Sequence, residues 1–215
     1  MSLERWAGGA WWTITHLGSS SLLLPACVLL MWGLWRTGHT RTLQWLVLAL
    51  GSAVSVTLLS KLAFYGWGLG VAAWDFTGVS GHTLLAAALL PLLLRCMPGL
   101  GVWGAVAGAG LAIAVGVSRV VVGAHSPSEV LAAWLLGGLV AAAVLSTLGR
   151  VRLRHPALVV APLLLLGSLH TPASTSLPSH SWAVRAALWL SGRTTPYTRA
   201  HLHGHAPDVL SPTRP

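Results

Sequence analysis

Charge is what this sequence has least of. Only 8% of its 215 residues are charged, 13 basic and 4 acidic, where an ordinary soluble domain carries about 25%. That is too little polar surface to coat a soluble globule. With 54% hydrophobic residues and a mean hydropathy of +0.72, most of the exterior must face lipid. Cysteine is nearly absent as well: Cys27 and Cys96 offer neither a disulfide framework nor a metal-ligand spacing, and both read as packing residues. A small-residue cleavage site ahead of a mature domain is missing too. The opening MSLERWAGGAWWTITH, with Glu4 and three tryptophans, therefore reads as a retained interfacial segment over 1–16, with Trp6, Trp11 and Trp12 at headgroup level. Nor does the net charge of +9 mark a nucleic-acid partner, because the basic residues are dispersed among apolar runs rather than gathered on one polar face.

What is there is a series of apolar runs. Spans of about 17 to 25 residues cross a bilayer, and 17–35, 43–59, 100–117 and 130–148 meet that length. Two more, 82–97 and 153–171, are short or interrupted by Pro91 and Pro162, which spans tolerate where neighbouring helices satisfy the freed backbone. The expected fold is an all-α, polytopic membrane helical bundle of six transmembrane helices over 17–171, followed by a tail at 172–215. Glycine and alanine crowd 103–116 and 131–143. Small residues let helices approach closely in lipid, which predicts that these two helices sit centrally.

Six alternating spans divide the connections into two sets. The set at 36–42, 95–99 and 149–156 carries Arg36, Arg41, Arg95, Arg150, Arg152 and Arg154; the set at 60–81 and 118–129 carries Lys61 and Arg119. The positive-inside rule puts the first set in the cytoplasm. The second set, the N-terminus and the tail then face the periplasm or exterior of a bacterial-type inner membrane. Polar and ionisable residues at membrane depth are costly and mark candidate functional sites.

The densest group of them is SRVVVGAHSPSE, 118–129, where Arg119 lies six residues before His125 and Glu129 four after it. An imidazole whose one N–H is held by a carboxylate can attack an electrophile through the other nitrogen. Arg119 can bridge two phosphate oxygens with its fork. Glu129 has a second reading, since Ser126, Pro127 and Glu129 also spell a helix start with a capping box. The second group is VSGH, 79–82: a helix N-terminus, the Ser80 hydroxyl and Gly81 make an anion site, beside which His82 can protonate a leaving alkoxide or merely bond a carbonyl. Lys61, ending the second span on the same face, is either a third phosphate ligand or a snorkelling interface lysine.

These residues resemble the type 2 phosphatidic acid phosphatase superfamily, membrane lipid phosphatases related in fold to the vanadium haloperoxidases, whose pattern is KxxxxxxRP, PSGH and SRxxxxxHxxxD. The resemblance covers 61–148 and implies that His125 is the nucleophile forming a phosphohistidine, Glu129 its orienting carboxylate and His82 the acid. Lys61, Ser80, Gly81 and Arg119 would then cradle the phosphate, with no metal and no cofactor. Three departures stand out: Val79 replaces a proline, Glu129 an aspartate, and Gly68-Leu69 the arginine-proline of the first motif. No arginine occurs from 62 to 81, so one phosphate clamp is missing.

The implied activity is hydrolysis of a lipid phosphate or pyrophosphate, with membrane lipids as the other partners. A lipid phosphotransferase using the same intermediate, or a non-catalytic phospholipid-binding or transport protein, are the alternatives. Phosphatidate, phosphatidylglycerophosphate, undecaprenyl pyrophosphate and lipid A phosphates all offer this head chemistry. In the tail, 181–190 reads as a short interfacial helix with tryptophans at both ends, and His201, His203 and His205 are assigned no metal. Arg185, Arg193 and Arg199 share the outer face with the site. Arg193 is the expected stand-in for the missing clamp, because Gly192 and Pro196 let its segment turn back over the pocket.

Overall fold

The computed structural model describes residues 3–149 and 179–204. Among them the chain is all-α, apart from one isolated bridge between Val71 and Phe76. The helices are α1 (Leu3–His16), α2 (Ser20–Arg36), α3 (Thr40–Trp67), α4 (Gly81–Arg95), α5 (Gly101–Val121), α6 (Pro127–Leu148), α7 (Ser179–Ser191) and the single turn α8 (Arg199–Leu202). Four apolar stretches are long enough to cross a membrane, Gly9–Arg36, Thr40–Trp67, Gly101–Val121 and Pro127–Leu148, and α4 is a shorter apolar helix. This is a membrane protein. The expected span over 153–171 lies outside the described residues.

α4 is the centre of the bundle. Eleven of its 15 residues are buried, Thr83 to Leu93 without interruption. A helix apolar on every side is stable only when it is surrounded, and α4, at about 22 Å, is too short to match a bilayer core of about 30 Å. It is enclosed by α5 and α6. The sequence expectation that those two sit centrally is corrected here: their glycine and alanine faces turn toward α4, while Val106, Ile113, Leu131, Leu135 and Leu139 on their other faces are exposed. The close approach has a steric basis. A Cβ at Gly104 would overlap the Leu94 carbonyl, and one at Gly108 the Leu90 carbonyl, so this GxxxG pair lets α5 lie directly on the α4 backbone. Pro91 is accommodated within α4.

Alternation of the helices sets two ends. One carries the starts of α4 and α6 and the ends of α3 and α5; the other carries Arg36, Arg41 and Arg95. There Arg95 Nη2 donates to the Gly149 carbonyl at 2.8 Å and the Thr42 hydroxyl to the Thr147 carbonyl at 2.8 Å. Exposed tryptophans ring both ends, Trp12, Trp67, Trp74 and Trp182 at the first and Trp32, Trp35, Trp45 and Trp103 at the second, as an aromatic belt requires. The tail helix α7 packs on α3, burying Ala183 and Ala187 and exposing Trp182 and Trp189.

Two helices outrun the apolar runs that predict them. α3 continues from Leu59 to Trp67 and α5 from Val117 to Val121, which makes Lys61, Ser118 and Arg119 helical rather than loop residues. Both cations line an internal cavity, so their charge does not end the helix as a lipid-facing charge would.

Candidate active site

Glu129 is the keystone of the first end. Its carboxylate is fully buried, an environment that costs several kcal/mol unless the charge is paired and hydrogen-bonded. Five donors satisfy it. Oε2 accepts from His125 Nδ1 at 2.7 Å and from the Ser126 N–H at 3.2 Å; Oε1 accepts from the Thr77 N–H at 2.8 Å, the Thr77 hydroxyl at 2.5 Å and Arg199 Nη2 at 2.9 Å. The Ser126 hydroxyl in turn accepts from the Glu129 N–H at 3.4 Å, closing the capping box. Glu129 therefore makes both kinds of contact, the capping box and the hydrogen bond to the imidazole. One carboxylate starts α6 and holds the histidine.

His125 is placed by the turn that leaves α5. Gly123, at φ 70°, reverses the chain, which a residue with a Cβ would resist, and the Arg119 carbonyl then accepts from both the Ala124 and His125 N–H groups at 3.0 and 3.2 Å. With Nδ1–H donating to Glu129, Nε2 is left as the lone-pair nitrogen on a ring that lines the cavity. Burial pushes this imidazole below its ordinary value, aided by Lys61 and Arg119 and opposed by the Glu129 hydrogen bond and charge. His125 is thus biased toward the neutral, nucleophilic form.

The cavity holds about 460 Å³ and is lined by Lys61, His82, Gly81, Arg119, His125 and Glu129, with tail residues completing the wall. Of the sequence-predicted residues, these six line the same cavity. Three cations, Lys61, Arg119 and Arg199, and one anion line it. The Arg119 Nε is buried without a hydrogen-bond partner. An orphaned buried guanidinium donor is costly and a phosphate oxygen would satisfy it. The N-terminus of α4 meets the same space at Gly81 and His82, presenting backbone N–H groups suited to an anion.

Ser80 and Arg193 are placed otherwise. Ser80 is the N-cap residue of α4, fully buried, its hydroxyl paired with Thr83 Oγ1 at 3.0 Å and its N–H donating to the Glu129 carbonyl at 3.3 Å; its side chain supports the helix start rather than lining the cavity. Arg193 stacks over the Tyr197 ring at 4.2 Å and donates to the Tyr197 hydroxyl and the Thr195 carbonyl, both at 3.3 Å. The tail does turn back over the pocket, but the arginine it delivers is Arg199, six residues on. His201 caps α8 by accepting from Thr198, and His203 pairs with Asp75; His205 lies outside the described residues.

Sequence reasoning missed Thr77, and it sets Asp75 aside as a loop aspartate bonding its own backbone, whereas Asp75 pairs with Arg199 and His203. Thr77 supplies two of the five donors to Glu129. Its loop is pinned further where the Ser128 hydroxyl donates to the Trp74 carbonyl at 2.7 Å. Nothing in spacing announces that pairing, because Thr77 and Glu129 lie 52 positions apart.

The chain belongs to the PAP2 superfamily, whose match spans residues 25–152 and so contains every motif residue of the site. It is also 36% identical, over 91% of this chain and 99% of the other, to a Klebsiella pneumoniae protein described as an uncharacterized 22.5 kDa protein in cps region. No solved structure matches. Membership of this superfamily supports a phosphatase-type hydrolase acting on phosphate esters.

Proposed function

We propose that this protein is a membrane lipid phosphatase that hydrolyses a phosphate or pyrophosphate group of a lipid through a phosphohistidine on His125. The observation that carries this reading is the His125 Nδ1–Glu129 hydrogen bond of 2.7 Å on a cavity with an excess of cationic side chains. Simple phosphate binding needs no oriented imidazole. In the first step His125 Nε2 forms the N–P bond as the P–O bond to the lipid breaks, and His82 gives its proton to the departing oxygen. Glu129 stabilises the charged imidazole. In the second step water, losing a proton to His82, attacks phosphorus, and the N–P bond breaks to release phosphate and neutral His125. Arg119, Lys61 and the α4 N-terminus balance the equatorial oxygens, a fixed electrostatic environment.

A cavity of about 460 Å³ accommodates a phosphorylated head and leaves the chains of a lipid in the bilayer. The placement of Arg36, Arg41 and Arg95 at the end away from the site supports an active site facing the periplasm or exterior of a bacterial-type inner membrane. The test is phosphate release by purified protein from a panel of phosphatidate, phosphatidylglycerophosphate, undecaprenyl pyrophosphate and lipid A phosphates. At least one should be hydrolysed, inhibited by vanadate and unaffected by chelators. Failure on all of them, or undiminished activity in His125→Ala, would overturn the reading. Transfer of the phosphate to an acceptor alcohol in place of water would make the protein a phosphotransferase.

A further inference from the structure

Arg199 reaches the site from the tail. Its backbone is anchored two residues earlier, where the Tyr197 N–H donates to the Tyr65 carbonyl at 3.0 Å and the Tyr197 ring lies against Gly68. From there Nη2 donates to Glu129 Oε1 at 2.9 Å, while Nη1 donates to the Asp75 carboxylate and, at 2.9 Å, to the Asp75 carbonyl. Asp75 is held on its other oxygen by His203 Nε2 at 2.8 Å. One planar fork thus bridges the buried catalytic carboxylate and a loop carboxylate 54 positions before it in sequence.

Both arms of that fork are occupied by carboxylates, so Arg199 does not offer a phosphate what the unpartnered Nε of Arg119 offers. It does offer Glu129 a fixed orientation. A glutamate has one more rotatable bond than an aspartate, and holding it in a single rotamer costs entropy that a charge-assisted hydrogen bond offsets. We propose that Arg199 is a positioning residue of the reaction, a tail-borne guanidinium that holds Glu129 in the orientation that aims His125. The tail is then part of the active site rather than an appendage. This inference rests on the phosphohistidine reading.

The groups that face His125 are Lys61 from α3, His82 from α4, Arg119 from α5 and Glu129 from α6, with Arg199 behind Glu129. Removing Arg199 leaves the carboxylate less compensated, so His125 holds its proton more tightly. The test uses the full chain in detergent, with two readouts: steady-state kinetics against pH on a hydrolysed lipid phosphate, and the ¹⁵N NMR titration of His125, assigned by its loss in His125→Gln. Arg199→Gln should lower kcat by about tenfold to a hundredfold, by analogy with the outer-shell groups that orient metal-bound histidines. KM should change little, and both the His125 titration and the acid limb of activity should move to higher pH. Arg199→Lys keeps the charge but cannot bridge two carboxylates, so it should return the titration toward wild type and recover only part of kcat. Should Arg199→Gln fail to fold, Asp75→Asn releases one arm and should shift both readouts the same way by less. Unchanged kcat and titration, or a raised KM with unchanged kcat, would overturn the proposal. A wild-type protein that releases no phosphate defeats the phosphatase reading alone, since the titration still reports whether Arg199 acts on His125 through Glu129.

Discussion

The two ends of the bundle are both rich in cations and use them oppositely. At one end Arg36 lies over the Trp32 ring at 5.9 Å and Arg95 donates to the Gly149 carbonyl, contacts that leave the charge at the surface and contribute little energy. At the other end Lys61, Arg119 and Arg199 face an internal cavity around a carboxylate with no solvent exposure. The same residue type sits at the surface at one end and faces the cavity at the other. What separates the cases is the company each cation keeps: a buried carboxylate and histidine at one end, backbone carbonyls and aromatic rings at the other.

The largest effects should come from the inward end. Glu129→Gln keeps the volume but removes the charge that fixes the His125 tautomer, and loss of an orienting carboxylate in a histidine-based site costs on the order of 10⁴ in kcat; a fall of less than tenfold would make Glu129 mainly a helix cap. Arg119→Ala should cost about 10² to 10³ in kcat, the scale for removing one preorganised donor, measured on the same lipid phosphate. An undiminished rate there would mean that its buried Nε serves packing alone.

The pH profile sharpens the comparison further. On the proposed mechanism His125 must be neutral to attack, so activity should be lost as pH falls through its titration. Because burial lowers that titration, kcat/KM should hold to more acid pH than an ordinary histidine, near 6.5, would allow. An acid limb at or above that value would mean that Glu129 outweighs desolvation.

A packing change separates stability from chemistry. Gly108→Ala places a methyl against the Leu90 carbonyl, and overpacking costs about 1 to 3 kcal/mol. The expected outcome is a lower midpoint of thermal unfolding in detergent with kcat altered less than in the site variants. The smallest effect belongs to the outward end: Arg36→Ala and Arg41→Ala should leave kcat/KM nearly unchanged while weakening the topological bias. In the parent, single cysteines at 70 and 124 should label from outside with an impermeant reagent and one at 152 should not. The reverse labelling would place the site in the cytoplasm.

Legibility in the sequence follows the range of the interactions. Arg119 lies in the last turn of α5, His125 in the short connection after it and Glu129 in the first turn of α6, so their spacing alone states their relation. The centrality of α4 was not legible, because a 15-residue, largely apolar helix with a proline reads as a weak span until the glycines of α5 are seen to fit its backbone. Lys61 and Arg119 would end their helices only if their charges met lipid, and both helices run past them. Thr77 and Arg199 reach Glu129 across 52 and 70 positions, and no local pattern encodes such a meeting. The turn at Gly192 and Pro196 correctly suggests that the tail folds back, but which arginine it delivers depends on the Tyr65–Tyr197 backbone bond.

The central claim is that His125 becomes covalently phosphorylated. Rapid quenching of the protein during turnover of a ³²P-labelled lipid phosphate, in alkali to preserve phosphohistidine, followed by peptide mapping, tests it directly. The account predicts acid-labile label on the peptide containing His125, attached at Nε2, and none in His125→Ala. Label on another residue, or turnover with no labelled protein at any quench time and inversion of configuration at phosphorus, would contradict it.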